Sequence, residues 1–108
     1  MKSKKEDILK EIERKLKNCN KCPLCKNSSN LVFGKGNTNA NIVLIGEAPG
    51  LEENEKGIPF CGKSGKMLDN LLKEAGFNIE SDIYFCNVVK CRPANSNNKD
   101  RKPSKIEI

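Results

Sequence analysis

Ile42-Val43-Leu44-Ile45-Gly46-Glu47-Ala48-Pro49-Gly50 decides how the rest of the chain is read. Four consecutive apolar residues, three of them β-branched, followed by a glycine and a carboxylate, predict a buried parallel strand that runs into a loop at its carboxyl end. Open α/β sheets bind ligands at that edge. Pro49 stops the strand, and Gly50 lets backbone approach whatever the loop holds. An ordinary strand-to-loop turn has the same pattern, so the flanking segments must decide.

Downstream, residues 51–56 are charged and aperiodic, which predicts a solvated loop or lid. Gly57-Ile58-Pro59-Phe60-Cys61-Gly62 then brings an aromatic to a glycine-flanked bend, where Phe60 either plugs the core or offers a stacking platform. Met67, Leu68, Leu71, Leu72 and Ala75 recur at helical spacing, with a start near Ser64 or Gly65 and Gly76 as the stop. Residues 82–89, rich in β-branched and aromatic side chains, form a second strand. Strand, helix, strand makes a right-handed β-α-β unit whose two parallel strands end on one edge. Asn87 is out of place in that apolar run. A buried amide without a partner costs on the order of 1 to 3 kcal/mol, so it must be paired within the protein or reserved for a ligand, close to Glu47.

Upstream, Ile8, Leu9, Ile12 and Leu16 mark an amphipathic helix over roughly residues 5–17. It leads into Cys19-Asn-Lys-Cys22, followed by Pro23-Leu24-Cys25. Thiolates at this spacing hold soft metals such as zinc or iron-sulfur clusters, or form a redox dithiol. A redox pair usually follows a strand, whereas this one follows a helix, which favours metal. Residues 30–34 predict a short strand and residues 34–37 a turn. Beyond Lys90-Cys91-Arg92-Pro93 periodicity ends. The organisation expected is therefore a folded domain over residues 1–91 and a basic, flexible tail over residues 92–108.

A chain of 108 residues supports one small core. Its net charge of +6 favours a polyanionic partner, while Glu47, Glu52, Glu53 and Glu55 make a local acidic island. Six cysteines without a secretion signal suggest a reducing compartment and a cytoplasmic protein. No apolar run is long enough to span a bilayer, so no membrane partner is expected.

Gly57-Ile-Pro-Phe-Cys-Gly62-Lys63-Ser64 satisfies the phosphate-loop pattern G-x-x-x-x-G-K-[ST]. A phosphate loop leaves a buried strand directly, but a Glu-rich segment precedes this one. No strand ends in a magnesium-binding aspartate. Nucleotide hydrolysis is therefore set aside, although the helix N-terminus could hold a phosphate of another molecule.

Five pieces together resemble the family 4, iron-sulfur uracil-DNA glycosylases. They are Cys19-x-x-Cys22-Pro-Leu, Val32-Phe33-Gly34-x-Gly36-Asn37, Gly46-Glu47-Ala48-Pro49-Gly50-x-Glu52-Glu53, Gly57-x-Pro59-Phe60-x-Gly62-x-x-Gly65-x-x-Leu68-Asp69 and Asn87-Val88-Val89-Lys90-Cys91-Arg92-Pro93. The resemblance implies a three-layer α/β/α fold with a small parallel sheet, incomplete at its C-terminus. It also implies hydrolysis of the N-glycosidic bond of uracil in DNA, with uracil-containing DNA as partner and a monomeric enzyme.

By the same resemblance, Phe60 stacks on the flipped base and the Asn87 amide pairs with its Watson-Crick edge. Glu47, beside the backbone of Ala48 and Pro49, steadies the sugar cation or orients the attacking water. Glu53 is implied to shape the pocket near the base, its rival reading being a solvated lid charge. Cys19, Cys22 and Cys91 match three of four ligands of a four-iron four-sulfur cluster; no cysteine follows Cys91. Cys25 is then the best placed substitute, with Cys61 and Cys86 read as small apolar fillers.

The family also uses a later histidine toward the departing base, and this sequence has no His. The expectation is thus an N-terminal portion of such an enzyme, with little or no turnover by itself. The competing reading is a non-catalytic metal- and DNA-binding module.

Overall fold

The computed structural model describes residues 4–17, 19, 22, 24 and 28–108. Helix α1 spans Lys4–Leu16, strand β1 Gly34–Gly36, strand β2 Ile42–Gly46, helix α2 Leu51–Lys56, helix α3 Lys63–Glu74 and strand β3 Ile83–Asn87. The strands form one sheet in the order β1-β3-β2. β2 and β3 run parallel, with Ile42 opposite Ile83 and Gly46 opposite Asn87. β1 pairs antiparallel with β3, Gly34 opposite Cys86. Helices and this sheet make a small α/β domain; the expected parallel pair is β2 and β3, and β1 adds an antiparallel strand that makes the sheet mixed.

The strand expected over residues 30–34 is also displaced to Gly34–Gly36. Val32 and Phe33 do not join the ladder. They are buried in the core, where the Val32 N–H donates to the Lys90 carbonyl at 2.7 Å.

Residues 51–56 form a helix, not a lid loop. Their polar side chains gave no apolar stripe because they bond to loops on either side. Gly50 caps the start, and Gly57, left-handed at φ 72°, closes the end. Buried Asn54 accepts from the Ser29 N–H at 2.8 Å, and its own carbonyl accepts from the Asn30 amide at 2.8 Å. α3 ends one residue before the expected cap: Ala75 is the cap and Gly76, at φ 94°, makes the turn beyond it.

The core consists of Leu24, Val32, Phe33, Ile83, Phe85 and Val89, with Pro59 and Pro93 fully buried beside them. β3 is the central strand and its Ile83, Phe85 and Asn87 point inward. β2 is an edge strand rather than a fully buried one. Its Val43 and Ile45 are 51% and 64% exposed. The apolar stripes of the long helices are half-covered: Leu9, Leu16, Leu68 and Leu72 are half-buried, whereas Ile8, Ile12, Met67 and Leu71 face outward.

Beyond Pro93 the chain folds back. Ala94 and Asp100 form an isolated β-bridge, and Asn95 accepts from the N–H groups of Asn97 and Lys99. Buried Arg92 donates through Nε to Asp100 Oδ1 at 2.7 Å and through its two Nη atoms to the Asn98 side chain and carbonyl, both at 2.9 Å. Among the described residues no helix is long and apolar enough to cross a membrane.

Candidate functional site

The parallel register sets the centre of the site. Gly46 and Asn87 are partners at the carboxyl ends of β2 and β3. The ladder continues one step further, with Val88 N–H donating to the Gly46 carbonyl at 2.9 Å and Val89 N–H to that of Glu47 at 3.1 Å. Asn87 is 6% exposed, and its carboxamide lies directly against the bare face of Gly46. Among the described residues that carboxamide has no hydrogen-bonded partner. Its amide atoms are not among those sealed from solvent without a partner, so the tip is open to a partner from outside the chain.

Phe60 reaches the same point. A methyl group on Gly46 would sit 2.9 Å from its Cζ, and its ring lies 5.5 Å from that of Phe85, tilted by 51°. Gly46, Phe60 and Asn87 are therefore brought together. The backbone of Phe60 is left-handed, φ 56°, a conformation that costs a residue with a Cβ about 1 to 2 kcal/mol. Three features hold it there. Buried Pro59 precedes it, and Gly65 in the first turn of α3 packs directly on its carbonyl with no room for a side chain. Glu53 grips the residues after it: Oε2 accepts from the Cys61 and Gly62 N–H groups at 3.0 and 2.7 Å, while Oε1 accepts from the Gly50 N–H at 3.1 Å. Glu53 is thus no solvated lid charge. The same contacts remove the phosphate-loop reading, since a carboxylate of the chain already occupies the anion position before α3.

Glu47 projects outward from the end of β2. With Ala48, Pro49 and Gly50 it lines one wall of a cleft of about 330 Å³, and Asp100, Arg101 and Lys102 line the other. Asp100 stands 3.2 Å from where a Gly50 Cβ would be. Sequence reasoning missed this wall. Asn95, Asn97 and Asn98 between two prolines were a turn signal, and Arg92 was the buried anchor that makes the turn part of the site.

Cys19, Cys22 and Cys91 line another cavity, about 430 Å³, walled by Leu16, Leu24, Leu31, Val88 and Val89. Among the described residues no group of three Cys, His, Asp or Glu could hold a single metal ion. The three thiols nevertheless share one apolar hollow, and soft sulfur in such surroundings fits an iron-sulfur cluster at three corners. Cys25, the proposed substitute ligand, lies outside the described residues. Cys61 and Cys86 do not line this hollow. Cys61 instead follows Phe60, where burial first and the charge of Glu53 second push its thiol pKa up. Lys90, on the cavity wall, has its pKa lowered by burial; its Nζ donates to the Phe33 carbonyl at 3.1 Å and lies 5.2 Å above that ring.

Residues 33–108 match the sequence model of the Uracil DNA glycosylase superfamily. The chain is 46% identical over 92 residues to the Type-4 uracil-DNA glycosylase of Thermotoga maritima, a match covering 85% of this chain and 47% of that protein. It is 46% identical over 101 residues to the Type-4 uracil-DNA glycosylase of Archaeoglobus fulgidus, covering 94% and 49%. For that of Saccharolobus solfataricus the figures are 42% over 102 residues, 94% and 45%. The chain spans about half the length of the curated relatives it matches. The superfamily match runs through β2, the Phe60 bend, β3 and the folded-back segment, and the chain belongs to the Uracil DNA glycosylase superfamily.

Proposed function

We propose that this chain supplies the base-recognition half of an enzyme that removes uracil from DNA by hydrolysing its N-glycosidic bond. The observation that carries this reading is the convergence of the Asn87 amide, unpaired within the described residues and open at its tip, and the Phe60 ring on the side-chain-free Gly46. A base taken out of the stack needs a flat apolar face and an edge reader. Phe60 supplies the face. The Asn87 carboxamide donates to a uracil carbonyl and accepts from the ring N–H. Cytosine presents the opposite pattern, and the mismatch costs about 1 to 3 kcal/mol.

Glu47, at the mouth of the adjacent cleft, either steadies the developing sugar cation or orients the attacking water, with the backbone of Ala48 and Pro49 beside it. The basic residues Arg101 and Lys102 on the facing wall suit a phosphodiester. Cys19, Cys22 and Cys91 would hold a four-iron four-sulfur cluster at three corners. When bound, it supplies a tie between the segment after α1 and the segment after β3. The partner is uracil-containing DNA, bound by a monomer in the cytoplasm.

The test is affinity and cleavage. The chain should bind a uracil-containing oligonucleotide more tightly than its cytosine counterpart, and Asn87→Ala should abolish the preference. Glu47→Ala should spare binding and remove whatever cleavage is measured. With no His in the sequence to meet charge on the departing base, cleavage is expected to be slow. The shared thiol cavity favours a second reading, a metal- and DNA-binding module without chemistry. Metal-dependent DNA binding indifferent to uracil and to Asn87→Ala would select it.

A further inference from the structure

The carboxylate of Glu53 joins the two loops that form the base pocket. One oxygen accepts from Gly50, in the loop after β2, and the other accepts from Cys61 and Gly62, in the loop that carries Phe60. Two of the three partners are glycines, and their missing side chains leave room for the carboxylate. A Cβ on Gly50 would stand 2.9 Å from Oε1, and one on Gly62 would stand 3.0 Å from Oε2. Three N–H donors take most of the carboxylate's roughly four acceptor sites and turn it toward backbone. Phe60, directly before Cys61, sits in a left-handed conformation that it would not hold without restraint.

We propose that Glu53 is a positioning residue that sets Phe60 for stacking on the base, and that it makes no contact with the base itself. This rests on the base-binding reading above and deepens it. The choice of Glu follows from the chemistry: a Gln turns an NH2 donor toward at least one N–H donor, and an Asp is one methylene too short to reach both loops.

The experiment combines NMR with a double-mutant cycle on the 108-residue chain. In Glu53→Gln the amide signals of Cys61 and Gly62 should move and exchange faster with solvent, and the Phe60 ring signals should shift, while the spectrum keeps its dispersion. Gly62→Ala, which crowds the carboxylate from the other side and leaves Glu53 in place, should reproduce the Phe60 shift. Unchanged Phe60 ring signals in both variants would overturn the proposal. Affinity for a uracil-containing single-stranded oligonucleotide should fall about 10-fold in Glu53→Gln, the scale of one lost base-aromatic stack. In a Phe60→Ala background the same change should add less than about 2-fold. Independent, multiplying losses would mean that Glu53 touches the base and would overturn it too. If the unmodified chain shows no preference for uracil over cytosine, the base-binding reading fails, and the ring signals still decide whether Glu53 positions Phe60.

Discussion

The carboxamide of Asn87 rests on the Cα of Gly46, its partner in the parallel register of β2 and β3. Any Cβ at Gly46 would collide with Asn87 Oδ1 and come within 2.9 Å of Phe60 Cζ. Gly46→Ala should therefore displace Asn87 and Phe60, the two proposed recognition groups, together. The expected result is at least about a 10-fold loss of uracil preference, near 1.4 kcal/mol, at a stability cost of about 1 to 3 kcal/mol. Oligonucleotide binding and urea unfolding measure the two separately.

Gly65→Ala tests the seat of Phe60. Within a helix, replacing Gly by Ala ordinarily stabilises by roughly 0.4 to 1 kcal/mol. Here the added methyl would stand 2.8 Å from Phe60 Cα and closer still to its carbonyl. Backbone cannot swing aside as a side chain can, so the sign reverses. A loss of about 1 to 3 kcal/mol in chemical denaturation is expected.

Arg92→Ala should unfasten the folded-back segment. Arg92 is 5% exposed, whereas its partner Asp100 has a side chain 61% exposed. Most of the loss comes from the guanidinium's bonds to Asn98 and its burial, with the half-wet ion pair adding little. The expected cost is about 1 to 3 kcal/mol, and Arg92→Lys should not restore it because an ammonium cannot serve three acceptors in a plane. Loss of the Gly50 and Asp100 proximity in NMR would accompany it.

Acid should release the end of the chain. Glu107 is held to a pKa of about 2 by hydrogen bonds from Arg101 first and from the Ser104 N–H second. Its unfolded value is 4.5, so the stabilisation is complete above that pH and drains away as pH falls toward 2. An NMR titration of the Ser104 amide should show this window. Glu107→Gln should weaken the turn at neutral pH and flatten its acid dependence.

The strand-helix-strand unit was legible because its periodicity is strong, and Asn87 was legible because a lone amide in an apolar strand demands an explanation. α2 was not. Helices are recognised by an apolar stripe, and Glu53 and Asn54 instead carry their contacts to the neighbouring loops. β1 was misplaced because Gly34 and Gly36 have no side chains to reveal pairing, while Val32 and Phe33 read as a strand and serve as core. The tail reading failed to anticipate Arg92, whose burial depends on Asn98 and Asp100 returning to meet it.

Ile45 and Val43 stand on the outermost strand of the sheet, with more than half of each side chain in water. An open strand edge flanked by such residues is a template on which another copy can add its own strand. Samples concentrated for spectroscopy should therefore thicken and precipitate through β2 first. A single Ile45→Lys, placing a charge on that exposed strand, is the change that should keep the protein dispersed.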